Sequence, residues 1–531
     1  MIKKLFRNAS PAQAIVLIAV AFAGLVSIIG IMTDGGMYLI QYARLKRAVD
    51  AASIGAAQQF RKNFTQADLT NSALEFLYLN QSDVIPSSVK ADTCDSIGNN
   101  PSDPLCAIPL RKLVRVTASK NVTFGFLRII GIDSAVVSAT SVGEAASIDL
   151  VMVIDTSISM AAATDWTNNG GSCPTYNPPD PNCENDVNPG DDPSVCNLNN
   201  SCEPMKDVKA VAKAFADKLF YPYDRLSIVP LTSQSPGGDR NPYVSWYLQS
   251  TGDAATDQAN VDTAIDNLRV YQPPECIYTS TNPGAPIASS PPNASQSCLD
   301  YGPQGSAGGG TFLGENCPLF RNTGDPTTCP STNGGGGLYE AGYEFSDSAH
   351  VEVRKDSFWA TILILSGTPN SSFAWPGDTS HPHGYCPDYG DLWGSPNGGP
   401  LCIQPSMTWQ VYPPTPDATR HYGPTPPATT ADPNYTSLDY ARDMADWLAN
   451  PETGQGASIF TIGLGNRVEN SSTYHGTADP AEAETFLEYA AKTAGDPQAT
   501  NHGNYYYAPD TSTLPEIFDD IYQNITTRLS Q

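Results

Sequence analysis

The stretch SIDLVMVIDTSIS, residues 147–159, decides how the larger part of the chain is read. Its first nine residues form a near-continuous apolar run. A strand buried on both faces has this pattern, whereas a surface strand alternates. Downstream, strand-like and helix-like segments take turns. PMKDVKAVAKAFADKL (204–219) puts Val208, Val211, Ala212 and Phe215 on one helical face. LSIVPLTS (226–233) predicts a second strand, VDTAIDNL (261–268) a helix, GLYEAGYEF (337–345) the opening of another and WATILILS (359–366) a third strand. SLDYARDMADWL (437–448) predicts a helix ahead of the strand SIFTIGL (458–464). A helix near 480–494, a short strand YYYAP (505–509) and a last helix over 512–529 complete the series. Such alternation predicts an α/β fold, a doubly wound, mostly parallel sheet of the Rossmann type with helices on both faces.

Ligands of such sheets bind at the carboxyl ends of the strands. There the first strand ends in Asp155, Ser157 and Ser159. Alternate residues in a turn can aim three oxygens at one point, and a carboxylate with two hydroxyls forms a hard ligand set suited to Mg²⁺. Residues 147–529 resemble a von Willebrand factor A domain, and DTSIS matches that family's DxSxS metal-ion-dependent adhesion site. The family adds a threonine from a GTN…GL loop. The resemblance places it at Thr332 in STNGGGGLYEAG, where the expected helix follows directly; Thr311 in GGGTFL is the rival. Its fifth position is an Asp in a TDG..N pattern, and LSGTPN puts Ser366 there. One of two formal negative charges is lost. The resemblance therefore implies either a weakened Mg²⁺ site held by Asp155, three hydroxyls and water, or a relic of the fold without metal.

Composition narrows the function classes. The 531 residues carry 29 Lys+Arg against 55 Asp+Glu, a net charge of −26. No basic stripe is present to replace phosphate counterions, which argues against nucleic acid as a partner. The 43 Gly and 45 Pro, about one residue in six, fall short of the disordered or collagen range. All twelve cysteines lie outside the apolar N-terminal segment, none forms a CxxC, and most fall in Pro/Gly/Asn-rich stretches. An even set of loop cysteines predicts disulfides and an oxidising compartment. Sequence order suggests Cys94–Cys106 and pairs within 173–202, with connectivity open.

The N-terminus reads as an anchor. Lys3, Lys4 and Arg7 precede an uncharged run from Ala14 to Met32, 19 residues, enough to cross roughly 30 Å of hydrocarbon as a helix. The run ends in MTDGG without a small-x-small cleavage site, so a retained transmembrane helix (14–32) is expected rather than a signal peptide. Arg44, Lys46 and Arg47 follow closely, leaving the positive-inside rule nearly silent. The cysteines decide the orientation: residues 1–13 cytoplasmic, everything after Met32 outside. Tyr38, Tyr42, Leu45, Val49, Ala52 and Ala56 then form an apolar stripe, which serves either the chain's own domain or lateral self-assembly through 38–56. Residues 111–143 alternate in strand fashion, so 33–145 reads as a helix on a small α+β unit. The segment VLIAVAFAGLVSIIGIMTDGGMYLIQYARLKRAVDAASIGAA resembles the N-terminal segment of TadG-like proteins of the tight-adherence (Flp) pilus-assembly system. The shared features are an apolar span, an Asp-Gly after it, a Y…R.L..A.DAA..GAA helix and then strands. In that family the segment anchors a larger extracytoplasmic region. The closing YYYAPDTSTLPEIFDDIYQNITTRLSQ also resembles the end of pilus-type members.

Three insertions, about 161–203, 270–335 and 367–435, interrupt the presumed domain of 146–531 and hold ten of the twelve cysteines. Long loops of this kind are usually functional or disordered. Asp180, Asn182, Glu184, Asp186 and Asp191 echo a calcium loop, but Asn185 replaces its glycine and a solvated acidic loop is the plainer account. His381, His383 and Cys386 could suggest zinc, although Pro382 and the surrounding loop favour an exposed segment with a bonded cysteine. Trp359 and Trp447 fit a core; Trp375, Trp393 and Trp409 fall in the third insertion. No GxSxG, HExxH, GxxxxGK or GxGxxG motif occurs, so no enzyme activity is expected. Taken with the TadG-like resemblance, these features imply a membrane-anchored extracytoplasmic protein. It would bind protein partners, pilus or envelope components, in pilus assembly or anchoring. An adhesin binding external ligands through the insertions is the alternative, marked by loss of adhesion with intact pili on deleting 367–435. A carboxylate-dependent hydrolase is a third.

Overall fold

The computed structural model describes residues 11–161, 196–231 except 198, 243–270, 332–349, 352–369, 372, 437–465, 468, 482–495 and 500–529, with two short strands near 280. The chain divides into two units, Met1–Ala146 and Ser147–Gln531. Thr311, the 180–191 acidic loop, the His381–Cys386 group and Trp375, Trp393 and Trp409 lie outside the described residues.

In the first unit, α1 (Pro11–Gln58) is one helix of 48 residues, about 70 Å long. Among the described residues it alone is long and apolar enough to cross a membrane. Its first half leaves Ile15, Leu17, Phe22, Ile28 and Ile31 exposed, and its second half packs on α2 (Gln66–Asn80) and on two strands. A capping box starts α2: the Thr65 hydroxyl accepts from the Asp68 N–H, and the Asp68 carboxylate accepts from the Thr65 N–H.

The sheet of this unit is antiparallel, in the order β1 (Lys90–Asp92), β2 (Lys112–Thr123), β3 (Ser134–Ala145). β2 alternates strictly, with Val114, Val116, Ala118 and Val122 inward. The alternation stops at residue 124, where Gly125 and Gly131 bracket a 3₁₀ turn at Leu127–Ile130. Gly143 allows α1 to lie on β3, because a Cβ there would meet the Ser53 carbonyl oxygen at 2.2 Å. Leu45, Val49, Ala52 and Ala56 are fully buried within the unit. Of the two uses open to the stripe over 38–56, packing on the chain's own unit is the one these four residues take. Burying apolar surface against the chain's own strands satisfies the same drive, leaving Tyr38 half-buried and Tyr42 exposed. Cys94–Cys106 is a disulfide.

In the second unit, β4 (Ile148–Ile154), β5 (Arg225–Pro230), β8 (Phe358–Leu365), β9 (Ser458–Leu464) and β10 (Tyr505–Ala508) form one parallel sheet in the order β5-β4-β8-β9-β10. Every pairing in it is parallel. Beyond β5, Trp246 makes a single antiparallel bridge to Ile228. A separate antiparallel pair, β6 (Tyr278–Thr279) and β7 (Asn282–Pro286), falls in the second insertion. The helices are α3 (Met205–Ala216), α4 (Ala254–Asp266), α5 (Gly334–Ser346), α6 (Ser437–Ala449), α7 (Glu482–Lys492) and α8 (Leu514–Leu529).

Strand periodicity sorts the core into two layers. Leu150, Met152 and Ile154 of β4 join Ile362, Phe460, Val208 of α3, Ile265 of α4 and Phe518 of α8. Val151 and Val153 face the other way, with Leu363, Leu338 of α5, Met444 of α6 and Phe486 of α7. Both faces of β4 are therefore covered, which is why its sequence hardly alternates. Cys196–Cys202 closes a short loop ahead of α3.

Candidate functional site

In the five-strand order the chain runs outward from β4 to β5, then crosses back to β8 on the other side. The reversal lies between β4 and β8, where open α/β sheets form a crevice at the carboxyl ends of the strands. Asp155 follows β4 directly and Ser366 follows β8 directly. The parallel register pairs Ile154 with Ile364, so the two turns start level.

Side chains close the gap between them. The Asp155 carboxylate accepts the Ser157 N–H on Oδ1 (2.8 Å) and the Ser366 N–H on Oδ2 (2.9 Å). The Ser366 hydroxyl donates to the same Oδ2 (2.6 Å). Ser366 Oγ also bonds Ser159 Oγ, which bonds Ser157 Oγ at 2.8 Å. One carboxylate and three hydroxyls thus form a continuous buried chain from residue 155 to residue 366.

Thr332 stands at the start of α5, followed by Asn333, whose Oδ1 accepts the Gly336 N–H at 2.7 Å and caps the helix. Gly337 lets this first turn sit over the ends of β4 and β5, because a Cβ there would meet Leu231 and Val153 at 2.1 and 2.7 Å. A Cβ on Gly334 would touch Pro369, in the loop after β8, at 2.9 Å. Thr332 is therefore buried at the same rim as Asp155 and Ser366. The structure joins Asp155, Ser157, Ser159 and Ser366 in one hydrogen-bonded group and sets Thr332 beside the loop that carries Ser366.

The donor set suits a hard cation in kind, since every ligating atom is oxygen. It is thin in charge, with one carboxylate. Ser366 also spends its own hydroxyl proton on Asp155, so the group is self-satisfied through hydrogen bonds.

Two features escape sequence reading. At the opposite end of β4, Asp149 is buried and clamped by Arg225 through Nε (2.8 Å) and Nη2 (2.7 Å), by Arg354, and by the Ser357 hydroxyl (2.6 Å). Burial alone would raise its pKa; the Arg225 hydrogen bonds and the Arg354 charge overcome this and hold the carboxyl below the usual range. The only sequence signal is one Asp inside an apolar run. Second, a cavity of about 620 Å³ beside the antiparallel edge is lined by Tyr243, Tyr247, Tyr343, Glu340, Glu344 and Asp347. Burial and the neighbouring Glu344 push Glu340 up to about 7, while Glu344 accepts the Leu248 N–H at 2.7 Å.

No protein-family profile matches the chain, and no curated protein matches it. Solved structures match only remotely. Proximal thread matrix protein 1 from the mussel byssus aligns at a TM-score of 0.30 and 10% identity, over 71% of this chain and 47% of that one. The pilus adhesin SpaC from Lactobacillus rhamnosus GG aligns at 0.33 and 10%, over 78% and 33%. A point mutant of the PilB minor pilin from Streptococcus sanguinis aligns at 0.33 and 13%, over 83% and 80%. The chain spans about half the length of the byssus protein and a third of the adhesin.

Proposed function

We propose that this chain is a membrane-anchored, extracytoplasmic protein whose second unit is a von Willebrand factor A-like domain. It acts by binding protein partners in tight-adherence pilus assembly or anchoring, and not by catalysis. One observation carries the reading: a DxSxS turn meets the turn after β8 at the reversal point of a parallel sheet, with the start of α5 at the same rim. The antiparallel bridge beyond β5 and the helical layers on both faces of the sheet agree with it. The apolar half of α1 and the two disulfides among the described residues agree with an anchored protein in an oxidising compartment.

At this rim Asp155, Ser157 and Ser159, with Thr332 and Ser366, would hold Mg²⁺, which would supply a positive centre for a carboxylate of the partner. The chain's own residues do the rest. Ser366 fixes the Asp155 carboxylate through two hydrogen bonds, Ser159 fixes Ser366, and the α5 N-terminus adds partial positive charge beside an incoming anion. With a single formal charge in the site, affinity for the ion is weak.

The test is capture of crosslinked partners from envelopes carrying the full chain, with surface pili counted in parallel. Asp155→Ala is expected to lose both the partner and the pili while the protein stays at its normal level in the membrane. Unchanged capture and unchanged pili would sink the proposal.

A further inference from the structure

The loop at the tip of the β2–β3 hairpin is unusual for a solvent-facing turn. Its sequence, FGFLRIIGI (124–132), presents Phe126, Ile129, Ile130 and Ile132 outward, with Ile129 and Ile130 exposed to 78% and 68%. A polar Gly/Asn/Asp turn would close the hairpin equally well.

The tip is also held at a defined place on α1. Phe126 sits on Gly30, where a Cβ would meet the Phe126 Cβ at 2.6 Å. Gly30 lies two residues inside the apolar run that ends at Met32, about 3 Å along the helix axis. Next to it, the Asp34 carboxylate accepts the N–H groups of Gly125 (3.0 Å), Phe126 (2.9 Å) and Leu127 (2.6 Å). Asp34 is the only charged residue between Asn8 and Ala43, and the tip leaves it 4% exposed. Past Asp34, Met37, Leu39 and Ile40 are again exposed. The hairpin tip thus covers the one charge that interrupts the apolar surface of α1 and extends that surface with its own isoleucines.

We propose that Phe126–Ile132 is a second membrane element, a loop that dips into the interfacial region of the leaflet from which α1 emerges. The occupant of this apolar patch is lipid, because the patch is continuous with the exposed apolar face of α1 and begins at the depth of Gly30. Three backbone N–H groups of the loop, which hydrocarbon could not satisfy, are paired with Asp34. Arg128, paired with Asp133 at 3.1 Å and largely exposed, can reach the headgroup level from the same turn. The loop and helix together set a fixed depth and rotation for the unit on the membrane, which a single helix does not.

The inference rests on α1 spanning the bilayer, and one experiment separates the two. All seven tryptophans lie at or beyond residue 166, so a tryptophan added to the first unit is read as the difference from the parent chain. The full chain is reconstituted in phosphatidylcholine vesicles brominated at shallow or deep acyl positions, as Phe22→Trp, Ile130→Trp and Leu79→Trp. Phe22→Trp should be quenched by deep bromines, Ile130→Trp should be blue-shifted and quenched by shallow bromines, and Leu79→Trp should be unaffected. If Phe22→Trp is quenched but Ile130→Trp matches Leu79→Trp, the loop proposal is wrong and the anchor stands. A blue-shifted but unquenched Ile130→Trp assigns the patch to protein contact, within the chain or with a second copy, and equally overturns the lipid assignment. If Phe22→Trp is unquenched as well, both readings fail.

Discussion

Ser366 shows how one side chain sets the character of a site. Its hydroxyl donates to the Asp155 carboxylate at a point where a second carboxylate would repel it. Adding a charge in Ser366→Asp is expected to raise Mg²⁺ affinity by about tenfold or more, measured by calorimetric titration of the full chain with Mg²⁺, Mn²⁺ and Ca²⁺. Asp155→Ala should abolish binding in either background. Asp149 poses the converse case, a charge kept in a strand interior by two arginines. Asp149→Ala strands Arg225 and Arg354 and should cost about 3–5 kcal/mol in urea unfolding followed by tryptophan emission, which reports only the second unit. The folded pKa of Asp149 is depressed. Its stabilisation is therefore complete above its unfolded value, about pH 4, and is lost as pH falls through the folded value. An Asp149→Asn variant should flatten that acid limb.

At the scale of elements, close backbone approach and burial decide which substitutions hurt. Gly143→Ala pushes a methyl into the Ser53 carbonyl and should separate α1 from β3, at a cost of about 1–3 kcal/mol in thermal unfolding of the first unit. On α5, Glu340 titrates near 7 because it is buried beside Glu344. Its folded pKa is raised, so its contribution to stability is present below its unfolded value and lost as pH rises through about 7. Glu340→Gln should remove a loss on the order of 1–2 kcal/mol between about pH 5 and 8, read from urea midpoints across that range.

Across the whole molecule, the parts legible in the sequence are those whose cause is local. β4, β8 and β9 announce themselves as apolar runs because both of their faces are covered, and Asp155, Ser157 and Ser159 are found because they follow such a run in a fixed pattern. Ser366 is reached only through the resemblance, which sets LSGTPN against a TDG..N pattern. Its hydrogen bond to a residue 211 positions away is a product of folding that no spacing contains. The Asp149 clamp is hidden for the same reason, with partners 76 and 205 residues off. The stripe on α1 is visible, but its occupant is not, since the strands that bury it lie far down the chain.

The edges of the two sheets carry a consequence for polymer formation. β10 closes one side of the parallel sheet with four residues, roughly two of them facing outward, and the Trp246 bridge covers part of the other side. In the first unit β3 has a partner on one side only and runs for twelve residues, with the Lys46 ammonium donating to its Thr140 carbonyl at 2.9 Å. Among the described residues, it is the one long unpaired border. Strand addition by another chain would therefore find, among the described residues, a single template of useful length, and the Lys46 ammonium on Thr140 blunts it.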